Sequence, residues 1–178
     1  MTCTVVQERE QPRLFDIVFR AMRTGDPFAV LDPTWPRPFK AMATGQVQDA
    51  VAEGTLGSGH LVLFSSGSTG RPRGILRTVE SWQASVTSLS EVTGITDQDR
   101  VWLPGPLWSS LFLYGAFHAA MVGAHLSFRG DDPACATVLY CVPSQLPGLM
   151  DRADAGQLPL IRLAVVAGDH LPTALRQR

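Results

Sequence analysis

Ser65-Ser66-Gly67-Ser68-Thr69-Gly70-Arg71-Pro72-Arg73-Gly74 follows directly on the apolar run His60-Leu61-Val62-Leu63-Phe64 and leads into Ile75-Leu76-Arg77-Thr78. Four hydroxyls, three glycines and two guanidinium groups lie in ten residues between two strand-like segments. That is the composition of an anion cradle. Glycine lets the backbone turn successive N–H groups inward, Ser and Thr add short donors, and Arg brings charge and a planar fork suited to phosphate oxygens. The expected guest is a nucleoside triphosphate, held by a loop that joins strand to strand rather than strand to helix.

Other glycine-rich loops do not fit. A Walker loop needs glycine and then lysine five and six positions after its first glycine, but Pro72 stands five after Gly67 and Ile75 five after Gly70. A nucleophile elbow starting at Gly67 would need serine where Thr69 stands and glycine where Arg71 stands. Gly57-Ser58-Gly59 lacks the third glycine of a dinucleotide fingerprint. A plain Ser/Gly linker is the blander reading. It gives no reason for apolar strands on both sides or for the closing Arg-Pro-Arg-Gly.

Around this loop the 178 residues are those of a globular chain, 45% hydrophobic and 17% charged, for which one core is expected. A formal net charge of −1 gives no basic footprint, so nucleic acid is not an expected partner. Cys3, Cys135 and Cys141 are odd in number and lack zinc-site spacing; they read as reduced thiols of a cytoplasmic protein, with no metal site. The N-terminus has no basic segment leading into an apolar one, and no apolar run approaches the ~18 residues of a membrane span. No membrane partner is expected.

The hydrophobic pattern alternates between strand and helix. Leu14 to Met22 reads as a helix begun near Pro12 and stopped at Thr24-Gly25, and Phe28 to Leu31 as a buried strand. Asp32 to Pro38 carries three prolines and reads as a rigid connection before a modest helix around Val47 to Glu53. After the loop and its second strand, Val79, Trp82, Val86, Leu89 and Val92 mark one face of a helix with Thr78 as its N-cap. Val101 to Leu103, Ala124 to Phe128, Thr137 to Val142 and Ile161 to Ala167 read as strands. Leu107 to Val122, Pro143 to Ala153 and Pro172 onward read as helices. Continuous apolar strands alternating with helices predict an α/β fold, a largely parallel sheet with helices on both faces.

The loop resembles the phosphate-binding signature T-S-G-[ST]-T-G-x-P-K-G of the acyl-adenylate-forming (AMP-dependent synthetase/ligase) superfamily. Nine of its ten positions match directly or conservatively, and the departure is Arg73 where lysine is usual. The charge is kept, but a compact amine that could lose its proton is not. Further segments resemble the family in the right order. Leu103-Pro104-Gly105-Pro106-Leu107-Trp108 is similar to its Pro-Leu-aromatic segment, with Ser109 where histidine is frequent. Tyr140-Cys141-Val142-Pro143 is similar to its V-P turn, and Ala167-Gly168-Asp169-His170-Leu171-Pro172 to its G-G-[AED]-x-L-P turn, with Ala167 for the first glycine. The compact spacing is similar to that of o-succinylbenzoate-CoA ligases and other acyl-CoA synthetases.

The resemblance implies that residues 1–178 are the N-terminal portion of an AMP-binding (adenylation) domain, with the C-terminal domain absent. It implies a ligase that activates a carboxylic acid with ATP and Mg²⁺ to an acyl-adenylate, then transfers the acyl group to CoA or a carrier pantetheine. Ser65, Ser66, Gly67, Ser68, Thr69, Gly70, Arg71, Arg73 and Gly74 would hold the phosphates, Gly168, Asp169 and His170 would lie near the nucleotide, and Trp108 and Ser109 near the acid. No catalytic residue is assigned. The family's Tyr-Gly-x-Thr-Glu and Thr-Gly-Asp segments and its C-terminal lysine do not occur in these residues, so the chain is expected to be inactive alone, with a second chain a possible source of the remainder. An amino-acid adenylation domain and a non-catalytic nucleotide- or partner-binding remnant are the alternatives. Of the four histidines, His60, His118 and His125 read as structural or surface residues, and only His170 has an argument from the site.

Overall fold

The computed structural model describes residues 2–65 and 70–176. They form two compact units, with the division falling in one helix after Ser85; Leu107 to Ser110 group with the first unit.

The first unit is built on strands β1 (Thr4–Val6), β2 (Phe28–Val30), β3 (His60–Ser65) and β4 (Arg73–Thr78), in that order across the sheet. β1, β2 and β3 are parallel, and β4 runs antiparallel to β3. Helix α1 (Gln11–Thr24) has Pro12 in its first turn, where a missing N–H costs nothing. It ends at Gly25, whose backbone lies in the left-handed region with φ 77° and whose N–H bonds Ala21 O. Leu14, Val18 and Met22, four residues apart, are its buried stripe.

Helix α2 (Arg37–Ala52) is longer than the modest segment expected around Val47, because Pro36 and Pro38 suit a helix start as well as an extended link. Ala43 and Val47 of α2 pack with Ala29, Leu31, Leu56 and Val62 in one buried cluster. Leu61 and Leu63 alternate with Val62 and are buried on the opposite face of the sheet. A strand buried on both faces explains the unbroken apolar run before the loop.

Helix α3 (Val79–Thr93) starts as expected at Thr78, whose Oγ1 accepts the N–H of Ser81 at 3.0 Å. The second unit has β5 (Arg100–Leu103), α4 (Ser110–Met121), β6 (His125–Phe128), β7 (Val138–Cys141), α5 (Leu146–Asp154), β8 (Leu163–Val166) and α6 (Thr173–Arg176). Its strands are all parallel, in the order β6-β5-β7-β8. One buried cluster joins Trp102, Leu139 and Cys141 to Leu149 of α5 and to Ala136. The connection from β6 to β7 passes β5 through residues 129–137 with no helix, shorter than most parallel crossovers.

The α/β class holds, but the expected single sheet and single core are two four-stranded sheets, each with its own buried residues. Hydrophobic periodicity reports which residues are buried, not which strands share a sheet. The added strand β1 is only three residues long and leaves too short a pattern to be seen.

Candidate functional site

The loop is carried by the β3–β4 hairpin. Register places Ser65 opposite Arg73 and Phe64 opposite Gly74, so the two ends of the loop are fixed side by side. Ser66, Gly67, Ser68 and Thr69 lie outside the described residues. Gly70 has φ 70°, a backbone that L side chains rarely adopt. Pro72 is buried, whereas Arg71 and Arg73 are exposed. Among the described residues neither arginine makes an ion pair. Two exposed guanidinium groups at the end of the loop suit a polyphosphate, whose charge they would offset.

A residue that the sequence pattern does not reveal holds the outgoing limb. Gln46 of α2 donates through Nε2 to Pro72 O at 2.9 Å and accepts the Gly74 N–H at Oε1 at 3.3 Å. Next to it is a cavity of about 190 Å³ lined by Val47, Ala50, Thr55, Val62, Phe64 and Leu76, together with Gln46 and Gly74.

Trp108 and Ser109 are half-buried and belong to the first unit. The segment before α4 is anchored by Gln11, itself 8% exposed, whose Oε1 accepts the Leu107 N–H at 3.2 Å. Nothing in the spacing of the chain marks Gln11, because the bond spans 96 positions.

Gly168, Asp169 and His170 lie at the end of β8 in the second unit, and all three are exposed. Gly168 has φ 96°, and a side chain there would meet Val142 Cγ1 at 3.3 Å. Val142 itself begins the Val-Pro turn after β7, where its N–H donates to Gln145 Oε1 at 3.1 Å. The two turns singled out in the sequence therefore adjoin at the carboxyl ends of neighbouring parallel strands, the end at which α/β sheets bind ligands.

The second unit also holds a concavity of about 490 Å³ lined by Trp102, Pro104, Arg129, Ser144, Gln145 and Arg152, among others. The Arg152 guanidinium sits over the Trp102 ring, 5.7 Å from its centroid, while the buried indole Nε1 has no hydrogen-bond partner among the described residues.

Three other titratable groups of this unit, His118, Tyr140 and Cys141, are buried. His118 is fully buried, with Nδ1 3.1 Å from Tyr140 Oη and Nε2 2.9 Å from Ser90 Oγ. Burial holds its pKa below the ordinary histidine value, and pushes those of Tyr140 and Cys141 up, the latter to about 11. His60 is half-buried against Gly57, and His125 is exposed. Among the described residues no group of three His, Cys, Asp or Glu side chains is placed to hold a metal ion, and no helix is long and apolar enough to cross a membrane.

Comparison with known proteins agrees with this geometry. The sequence profile described as "AMP-binding enzyme" matches residues 21–178. An uncharacterized acyl–CoA ligase, YhfT of Bacillus subtilis, is 36% identical over 96 residues, covering 48% of this chain and 20% of the relative. A 2-succinylbenzoate–CoA ligase of Bacillus velezensis is 27% identical over 156 residues, covering 76% of this chain and 32% of the relative. The structure of o-succinylbenzoate CoA synthetase from Bacillus subtilis, in complex with an acyl-adenylate intermediate, superposes with a TM-score of 0.75 at 17% identity, covering 98% of this chain and 45% of that one. The chain thus spans less than half the length of these three relatives, and shares with the solved structure the fold of the N-terminal domain of adenylate-forming enzymes. By the profile match over residues 21–178, the chain belongs to the AMP-binding enzyme family, the adenylate-forming ligases.

Proposed function

We propose that this chain is the nucleotide-binding portion of an AMP-forming acid–thiol ligase of the acyl-CoA synthetase type. The observation that carries the reading is the β3–β4 hairpin, which fixes both ends of a hydroxyl- and glycine-rich loop next to two arginines that make no ion pair among the described residues. Ser65, Ser66, Gly67, Ser68, Thr69, Gly70, Arg71, Arg73 and Gly74 would take the β- and γ-phosphates of ATP, with Mg²⁺ bound to the phosphates themselves. Gly168, Asp169 and His170 would lie along the nucleotide, and Trp108 and Ser109 beside the acid.

The reaction begins when a carboxylate oxygen attacks the α-phosphorus. The bond to the bridging oxygen of the β-phosphate breaks, and pyrophosphate leaves with that electron pair. The loop's part is to offset the charge that gathers on the leaving pyrophosphate and to hold it in line. The thiolate of CoA then attacks the acyl carbon and AMP departs. Transfer to a carrier protein after amino-acid activation is the second reading. It is favoured by the likeness to a polyketide synthase-nonribosomal peptide synthetase, phmA of Phaeosphaeria nodorum, 30% identical over 141 residues, covering 70% of this chain and 4% of that one.

The glutamate, aspartate and lysine that complete the family's chemistry are not among these 178 residues. We therefore assign adenylation to a longer assembly, whether supplied in the same polypeptide or by a second chain. Three unpaired thiols support a cytoplasmic setting. Acid-dependent ATP–pyrophosphate exchange tests the assignment. None is expected from the 178-residue chain alone with any carboxylic acid, and exchange by the purified chain would refute it.

A further inference from the structure

We propose that Gln46 is the positioning residue of the phosphate loop, acting through Arg73. The inference rests on the nucleotide reading above and deepens it.

Pro72 C=O and Gly74 N–H flank Arg73. They are the two groups that a single residue of a neighbouring parallel strand would bond. The Gln46 side-chain amide takes both, donating to one and accepting from the other, and so supplies at the edge strand β4 what a further strand's peptide would. The helix that carries the amide is fixed in place, although Gln46 itself is exposed. Ala43 and Val47, one turn before Gln46 and next to it, are buried in the cluster with Ala29, Leu31 and Val62, so α2 cannot rotate Gln46 away without exposing them.

The glycine at position 74 belongs to the same device. A Cβ there would stand 3.4 Å from Gln46 Oε1, 3.2 Å from Phe64 Cε1 and 3.4 Å from Val62 Cγ1. Leaving that space empty lets the amide reach the backbone. Arg73 is thus held at its peptide on both sides while its guanidinium stays exposed, and the loop is closed at its exit before any ligand arrives. A ligand that needs the closed exit binds in proportion to the fraction of molecules in that state.

The loop enters this scheme from the other side through Ser65, paired across the hairpin with Arg73. The ladder therefore holds one edge of Arg73 and the glutamine the other. Loss of Gln46 frees the second edge only, a defect that should be local to residues 70–74.

Four variants of the full 178-residue chain test this: Gln46→Ala, Gln46→Glu, Arg73→Ala and the double variant Gln46→Ala with Arg73→Ala. Two neutral hydrogen bonds of about 1 kcal/mol each allow up to about 30-fold in the closed fraction, so Mg-ATP affinity in Gln46→Ala should fall by about tenfold. Gln46→Glu keeps an acceptor for Gly74 but sets a carboxylate oxygen against the Pro72 carbonyl and a negative charge beside the loop, and should fall at least as far. With Arg73 already Ala, adding Gln46→Ala should cost less than about twofold. An undiminished further loss in that background would overturn action through Arg73.

A second readout needs no nucleotide. Trypsin cleaves after Arg73 but not after Arg71, which precedes proline. Cleavage at Arg73-Gly74 and exchange of the Gly74 amide should both accelerate about tenfold in Gln46→Ala, with exchange in β2 unchanged. Unchanged cleavage and exchange would overturn the clamp, whatever ATP does. If the wild-type chain binds no ATP while these differences persist, the nucleotide reading falls and with it action on phosphate through Arg73, but the clamp on the loop stands.

Discussion

Replacing Asp99 by Asn should destabilise the second unit by an amount that depends on pH in a defined way. Asp99 is 5% exposed and lies just before β5. Its Oδ1 accepts Arg162 Nε at 2.8 Å and Thr137 Oγ1 at 2.7 Å, and its Oδ2 accepts Arg162 Nη2 and, at 2.9 Å, the Thr96 N–H. Arg162 also donates to Gly94 O at 2.9 Å, so one carboxylate ties the end of α3, the starts of β5 and β7, and the approach to β8.

An asparagine keeps the shape but turns an NH₂ group toward two donors and removes the charge. Breaking a buried pair costs about 3–5 kcal/mol. The Arg162 side chain is 42% exposed and can rehydrate, so about 2–3 kcal/mol is the better expectation. Hydrogen bonds from Arg162, foremost among the causes, hold the Asp99 carboxyl far below the usual carboxylate range, against the opposing effect of its burial. A carboxyl with a depressed folded-state pKa contributes stability that is full above its unfolded value, about 3.9, and is lost as pH falls below it. Urea unfolding of wild type and variant from pH 8 to pH 3 would show it. The gap should be constant down to about pH 5 and should narrow below about pH 4. A gap under about 0.5 kcal/mol at neutral pH, the size of an ordinary surface change, would refute the reasoning, as would one that stays constant to pH 3.

His118 predicts a second pH effect. Burial lowers its folded-state pKa, so the unfolded chain takes up the proton first and stability should fall as pH drops below about 6.5. Thermal melts from pH 8 to pH 5 should show this slope in wild type and not in His118→Gln, and equal slopes would contradict it. Gly105 faces the Phe112 ring so closely that a Cβ would lie 1.9 Å from Cε2. Gly105→Ala should cost about 1–3 kcal/mol or more and be partly rescued by Phe112→Leu in denaturant titrations. Absence of rescue would mean that the cost lies in the backbone rather than in the ring.

The sequence disclosed features whose causes are local. The loop between two apolar runs is a hairpin, the Thr78 cap is made, and the helix from Gln11 to Thr24 stops at its glycine, each set by residues within a few positions of one another. The supports of the site are distant contacts that leave no periodic trace. Gln46 reaches the loop across 26 and 28 positions, and Asp99 meets Arg162 across 63. The split into two sheets was hidden for the same reason, since Leu61 to Leu63 and Val101 to Leu103 look alike as buried strands and only their partners differ. Motif order located the turns at Val142-Pro143 and Gly168-Asp169, but their proximity depends on β7 and β8 being neighbours.

Titration of Mg-ATP into the purified chain, wild type against the Ser68→Ala, Thr69→Ala double variant, tests the central claim most directly. Saturable binding by wild type, lost in the double variant while the thermal melt is unchanged, is the predicted result. Absence of binding by wild type, or equal binding by both, would contradict a phosphate site in the loop between Ser65 and Gly74.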